Sequence, residues 1–358
     1  MKVVISGYYG FGNIGDEAIL SVSINLLRSL LPDIEITVLS AKAEKTASLF
    51  QVKAISRNDF SLITSEVKKA DLFISGGGGL LQDVTSRRSL YYYLALISLA
   101  QYYKVPTLLL AQGVGPLTSK SSLKLLSLVL KGVKSISVRD KPSATLLETL
   151  GYKGKLLLTA DLAFLLKPDY LKGAQVLESL AINNKPYLFL SPSRALDRPS
   201  IVESVIQTVL FLKEEYGLEI LVVPFYPRHD HFTLELIKNR LKDRAHYVED
   251  CFEPEVALAL VGRSEMIFSS RLHPIISAAI TEVPFLGISY DPKVDNLAKE
   301  LGEGLTLPLS KVKPADMIYH SIKIYENRAE IKARLKKLLL PLIERARLNI
   351  NIIKEFIN

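Results

Sequence analysis

Short apolar runs alternate with longer stretches of helical spacing through most of the chain. Residues 3–6 form a compact apolar run, and beyond Asp16 the apolar positions Ala18, Leu20, Ile24, Leu27 and Leu31 recur at helical intervals before residues 34–39 turn apolar again. Residues 71–75, 107–111, 135–138 and 155–158 repeat the strand signal with helical segments between them. This alternation predicts a parallel sheet joined by right-handed crossovers. From 162 to 186 the pattern loosens, where Lys167-Pro168-Asp169 and Asn183-Asn184-Lys185-Pro186 supply turn residues. It then resumes, with strands expected at 187–191, 218–223, 245–248, 266–268 and 285–289. The chain therefore reads as α/β, with one domain over 1–165 and a second over 186–310. The remaining 311–358 carry an apolar stripe through Leu335, Leu339, Leu342, Ala346, Ile350, Ile353 and Ile357, with a kink expected at Pro341. That segment should pack on the domains; an uncovered stripe would instead suit a bilayer surface.

Polar or glycine-rich residues close the predicted strands. In the first half these are Gly7, Gly76-Gly77-Gly78-Gly79, Gln112-Gly113, Arg139-Asp140 and Asp161; in the second they are Ser191, Pro224, Ser269-Ser270-Arg271-Leu272-His273 and Tyr290-Asp291-Pro292-Lys293. In open parallel sheets that edge binds ligands, because helix N-termini and loop amides point there. Two Rossmann-like domains with these edges facing a central cleft would make a GT-B-like fold. The turn through Arg271 and His273 matters most. A cation and a titratable ring two residues apart, where a strand hands over to a helix, suit an anionic ligand and a proton to be moved.

Composition narrows the partners. The chain has 358 residues, 48% hydrophobic and 23% charged, which describes a globular protein with enough material for two cores. Its net charge of +8 favours anionic partners. No Lys/Arg-rich run or aromatic-basic RNA motif occurs, so phosphorylated small molecules and anionic head groups rank above nucleic acid. The one cysteine, Cys251, rules out an internal disulfide and any cysteine-based zinc cluster, and reads as structural. No segment reaches the roughly 20 apolar residues of a membrane span. Because Met1-Lys2-Val3-Val4 leads directly into a strand pattern, the cytoplasm is the expected location.

Two glycine loops frame the ligand question. Gly10-Phe11-Gly12-Asn13-Ile14-Gly15 matches the dinucleotide fingerprint but starts four residues after the strand, and Glu35 falls at the start of the next strand instead of its end, so a nicotinamide cofactor is disfavoured. No Gly-Lys-Ser/Thr follows, so a Walker A loop is absent too. Asp16 and Glu17, in the first helical turn, serve either as cap and dipole partners or in catalysis. The four glycines from Gly76 allow backbone to approach a ligand closely, and a packing corner would account for one or two of them. Arg87 and Arg88 then open the next helix, where a phosphate-bearing substrate would explain them.

Taken together, Gly7-Tyr8-Tyr9-Gly10-Phe11-Gly12-Asn13-Ile14-Gly15-Asp16-Glu17, the loop from Gly76 to Asp83, Gln112 to Pro116, Val138-Arg139-Asp140, Arg271-Leu272-His273 and Ser289-Tyr290-Asp291-Pro292-Lys293 resemble the polysaccharide pyruvyl transferase family, in particular its bacterial cell-wall branch. The likeness runs in the family's order from Gly7 to about Asp295. It implies a GT-B-like fold, phosphoenolpyruvate as donor, and a pyruvate ketal formed on a sugar of a cell-wall polymer or its lipid-diphosphate-linked precursor, with phosphate released. It implies no metal and no nucleotide cofactor. A lipid-linked acceptor would add a peripheral contact with the inner face of the membrane.

On that reading Arg139, Ser270, Arg271, His273 and Lys293 are expected to hold the donor, whose carboxylate and phosphate ask for fixed cations or helix N-termini. His273 is the expected general acid, with helix capping as its alternative role. The base is sought among Asp16, Glu17, Asp83 and Asp161, with Asp16 placed beside His273 and Arg271 in the catalytic set. Asn13, Gly77, Gly78, Gln82, Asp83, Arg87 and Arg88 are expected on the acceptor side. Asp140 should cap the helix begun by Lys141-Pro142-Ser143. His229 and His231 lack the further ligands a metal needs and read as an exposed loop. A GT-B glycosyltransferase using a nucleotide-sugar is the alternative enzyme, and a non-catalytic sugar-phosphate binder the alternative outside enzymes.

Overall fold

Among the described residues fourteen strands form two sheets, and the strand pairings in both are parallel, as expected when strands are buried on both faces and read as near-continuous Val/Ile/Leu runs. The computed structural model describes residues 1–248, 253–302 and 305–357. It divides the chain into two units. The first comprises Met1–Phe11, Asp16–Leu166 and the chain from Leu342; the second comprises Gly12–Gly15 and Lys167–Pro341.

In chain order the first half contains β1 (Lys2–Ser6), α1 (Ile14–Leu30), β2 (Glu35–Ser40), α2 (Ala43–Phe50), β3 (Lys53–Ser56), α3 (Phe60–Lys68), β4 (Leu72–Ser75), β5 (Gly78–Leu81), α4 (Arg87–Tyr102), β6 (Thr107–Val114), α5 (Lys120–Leu130), β7 (Ser135–Val138), α6 (Lys141–Thr149) and β8 (Lys155–Leu158). The sheet order is β3-β2-β1-β4-β6-β7-β8, with β5 paired to β6. Its central strands β4 and β6 are buried throughout. Around them Ile63, Val67, Leu90, Tyr93, Ile97 and Leu126 from the flanking helices complete one core. Asp140 caps α6 as expected, accepting from the Ser143 N–H at 2.9 Å, with Pro142 in the first turn.

The second half contains α7 (Tyr170–Ser179), β9 (Tyr187–Ser191), α8 (Pro199–Tyr216), β10 (Glu219–Val222), α9 (Pro227–Leu241), β11 (His246–Tyr247), α10 (Pro254–Gly262), β12 (Met266–Ser269), α11 (Leu272–Ile280), β13 (Phe285–Ser289), α12 (Pro292–Leu301), β14 (Thr306–Pro308), α13 (Pro314–Glu326) and α14 (Arg328–Ile357). The sheet order is β11-β10-β9-β12-β13-β14. The fold is thus mixed α/β built on two parallel sheets.

Helix α14 contains Pro341, and the division between the units falls between Pro341 and Leu342. Its C-terminal part is stitched to the first unit by Asn349, which is wholly buried. Asn349 Oδ1 accepts from Ser137 Oγ at 2.7 Å and Thr159 Oγ1 at 3.3 Å, and Nδ2 donates to the Ala160 carbonyl at 3.3 Å. Among the described residues no helix is long and apolar enough to cross a membrane.

Several elements depart from the sequence reading. Strands β3, β5 and β14 fall where no strand is expected, and β6 extends through Gln112, Gly113 and Val114, which read as a loop. His229 and His231 lie in the first turns of α9, not in a loop, because Pro227 opens that helix. Cys251 lies outside the described residues.

Candidate functional site

Each unit carries its own cluster at the C-terminal ends of its strands. In the second unit, β9, β12 and β13 lie side by side and end in Ser191, Ser269 and Ser289, with Ser269 paired directly to Ser191. Strand β12 passes to α11 through Ser270 and Arg271, whose extended backbone forms the N-cap, so His273 is the second residue of that helix. Strand β13 passes to α12 through Tyr290 and Asp291; the Asp291 carboxylate accepts from the Lys293 N–H at 2.9 Å. Arg271, His273 and Lys293 therefore stand at the positive ends of two helices that follow adjacent strands, where anions are favoured.

Arg271 is fixed by a residue that sequence reasoning missed. Its Nε donates to Asp230 Oδ2 at 2.8 Å and its Nη2 to Asp230 Oδ1. Asp230 is fully buried, and Oδ1 also accepts from the Arg194 N–H at 2.9 Å. Nη2 further approaches His229 Nδ1 at 3.4 Å, and the guanidinium carbon lies 5.7 Å from the Tyr226 ring centre. His229 stacks on Tyr226 with centroids 5.2 Å apart. No described residue bonds Arg271 Nη1. The Tyr290 phenol pKa is raised by burial, with Arg271 pulling it the other way. Ser270 turns inward, its hydroxyl bonded to that of Ser193.

Residues 12–15 belong with this unit. The Ile14 N–H donates to the Phe225 carbonyl at 2.9 Å. Asn13 Oδ1 accepts from the Gly15 N–H at 3.2 Å, closing a local turn. Gly15 lies against the His273 imidazole so closely that a Cβ there would meet Nδ1 at 2.1 Å.

The first unit holds Asp16, Gly77, Gly78, Gln82, Asp83, Arg87, Arg88 and Arg139. Arg139 is buried, and its Nη1 donates to Asp161 Oδ2 at 2.7 Å while Nε lies 3.6 Å from Asp140 Oδ2. Burial opposes its charge, but Asp161 and Asp140 outweigh that and raise its pKa. Asp161 also accepts from the Ala163 N–H at 3.0 Å. Both Asp83 oxygens are engaged, accepting from the Thr118 N–H at 2.7 Å and the Ser119 N–H at 2.9 Å, and these backbone bonds lower its pKa to about 2. Asp83 therefore anchors the segment after β6. Glu17 Oε1 accepts from the Gly10 N–H at 2.8 Å. Gln82 Oε1 accepts from the Thr85 N–H at 2.9 Å, while Arg87 and Arg88 are exposed at the start of α4.

The glycine run is explained by packing more fully than the sequence suggests. A Cβ on Gly76 would meet the Tyr9 hydroxyl at 2.0 Å, one on Gly77 would press Ile19 Cγ2 at 3.0 Å, and Gly78 has φ +98 with Asp16 Oδ1 3.0 Å from the Cβ position. Packing thus accounts for three of the four glycines, where one or two were expected. It also brings Asp16, which is buried, against the strand ends. Tyr9 beneath them is buried; its pKa is raised first by that burial and then by Asp16.

No curated protein sequence matches the chain. Among solved structures it resembles UDP-GlcNAc 2-epimerase from Neisseria meningitidis bound to UDP-GlcNAc, at 15% identity and TM-score 0.65, covering 99% of this chain and 100% of that one. UDP-GlcNAc 2-epimerase from Methanocaldococcus jannaschii matches at 13% identity and TM-score 0.66, covering 100% and 99%. A glycosyltransferase from Rickettsia africae matches at 16% identity and TM-score 0.60, covering 100% and 98%. At such identity the likeness shows the fold, which is GT-B. A family model described as polysaccharide pyruvyl transferase matches residues 13–292, a span that takes in every candidate site residue except Lys293, one position beyond it. The chain belongs to the polysaccharide pyruvyl transferase family.

Proposed function

We propose that the chain transfers pyruvate from phosphoenolpyruvate to two hydroxyls of a cell-wall sugar, forming a ketal and releasing phosphate. One observation carries this reading: paired strands β12 and β13 lead into helices with Arg271 at the N-cap of one and His273 and Lys293 as their second residues. Arg271, through its Nη1 corner, and Lys293 hold the carboxylate and phosphate, with the helix N-termini adding to both. Ser270 supports the donor from its buried position. No metal and no further cofactor takes part.

His273 gives a proton to the CH2 carbon, which leaves the central carbon electron-poor. One sugar hydroxyl bonds to that carbon and gives its proton to a carboxylate base. The carbon–oxygen bond to phosphate then breaks, and the second hydroxyl closes the ring as it loses its proton. Of the two hydroxyl protons, one replaces that given to the new methyl group and the other leaves with phosphate, so the reaction balances without an oxidant. Asn13, Gly77, Gly78, Gln82 and Asp83 shape the acceptor side, with Arg87 and Arg88 nearest to solvent. An acceptor carried on a lipid diphosphate would bring the protein to the inner face of the cell membrane.

The test incubates the protein with phosphoenolpyruvate and a panel of lipid-diphosphate-linked sugars, following phosphate release and product mass. Phosphate release with a matching ketal supports the reading. Sugar transfer from a UDP-sugar, with no phosphate released from phosphoenolpyruvate, would replace it with a nucleotide-sugar transferase.

A further inference from the structure

Three arginines close strands of the two sheets, and their charges are met differently. Arg139 is paired with Asp161 and Arg271 with Asp230. Arg57, which follows β3 in the first unit, has no carboxylate partner among the described residues. Its guanidinium lies instead against aromatic faces. The guanidinium carbon is 4.2 Å from the Tyr92 ring centre and 4.9 Å from that of Phe11, and Phe11 stacks on Tyr8 with centroids 4.0 Å apart. The Tyr92 hydroxyl donates to the Arg57 carbonyl at 2.9 Å, which fixes the backbone, while Nη1 reaches only a long contact of 3.5 Å to the Tyr93 hydroxyl. Rings that hold a guanidinium by its faces leave its donors pointing outward in its own plane, the geometry that grips phosphate bidentately. Arg57 is half-buried, so leaving it without an anion has a cost that a bound phosphate would offset.

We propose that Arg57, set by Phe11 and Tyr92, is the group that recognises the phosphate of a glycosyl diphosphate acceptor. The inference rests on the pyruvyl transferase reading for the identity of that acceptor, and it adds that the acceptor is bound through its diphosphate. It also places that contact at the end of β3, against Tyr92 of α4.

Calorimetry with three probes tests it on the full chain: inorganic diphosphate, a decyl-diphosphate-linked N-acetylglucosamine, and phosphoenolpyruvate. Arg57→Met, which keeps the apolar stem, should weaken both diphosphate probes about tenfold or more while phosphoenolpyruvate binds within about twofold of wild type. Arg57→Lys, which keeps charge without the fork, should fall between and serves should Arg57→Met fail to fold. Equal diphosphate binding by wild type and a folded variant overturns the inference. An equal loss of phosphoenolpyruvate overturns it as well, because Arg57 would then belong to the donor. Failure of the wild type to consume phosphoenolpyruvate would count against the transferase reading alone, since the diphosphate measurements do not depend on turnover.

Discussion

Gly15 and His273 are in such close contact that the imidazole Nδ1 occupies the space where any other residue at position 15 would carry its Cβ, 2.1 Å away. The glycine is thus a steric condition for the ring's position. Gly15→Ala should leave the protein folded yet lower phosphate release by about a hundredfold, the penalty of an ångström-scale misplacement of a reacting group. His273→Ala should lose at least as much, about a hundredfold or more. Steady-state phosphate release, with circular dichroism to check folding, decides both. Full activity in Gly15→Ala would separate the ring from the chemistry.

Asp230 is expected to matter for both stability and donor affinity. Asp230→Ala strips a buried carboxylate from Arg271 and leaves the Arg194 N–H without its acceptor. Removing one partner of a buried pair typically costs about 3–5 kcal/mol. Urea unfolding should show a loss of that order, and phosphoenolpyruvate affinity should fall with it. A variant of wild-type stability would show that the pair carries little energy.

Gly78 is held at φ +98 beside Asp16. Gly78→Ala should destabilise the protein by about 1–2 kcal/mol from backbone strain alone. Chemical denaturation measures this directly, and a neutral result would mean that the loop relaxes.

Asp83 should leave a signature in acid. Its folded pKa is depressed from an ordinary 3.8 to about 2, so its contribution is present above the unfolded value and is lost as pH falls through the folded one. The stability gap between wild type and Asp83→Asn should therefore shrink between about pH 4 and pH 2. A gap that stays constant across that window would rule out titration of Asp83 as its source.

Much of the fold could be read from the chain because buried parallel strands announce themselves as apolar runs. Those at 135–138, 155–158, 187–191 and 285–289 appear with the bounds expected. Strand β5 escaped because two of its four residues are glycines, which disfavour strands in isolation. Strand β3 escaped because only Ile55 is buried in it. The first turns of α9 escaped because Pro227 and the charged residues after it look like a turn, although proline at that position starts a helix. Within the site, the starts of α11 and α12 were legible as strand-to-helix turns. Asp230 was not, because it meets Arg271 across 41 residues and no local pattern marks a lone buried aspartate. The Arg57 stack was hidden for the same reason, joining residues from the ends of β1 and β3 and from α4.

The hand-over of α14 between units at Pro341 bears on how this protein could be recombined. A fragment ending at residue 166 would lack Asn349, and with it a hydrogen-bonding partner for the Ser137 and Thr159 hydroxyls. Chimeras that exchange the first unit between relatives must therefore add a crossover inside the final helix to the one near residue 166, so that the returning segment travels with the sheet it completes, and must leave residues 12–15 with the second unit.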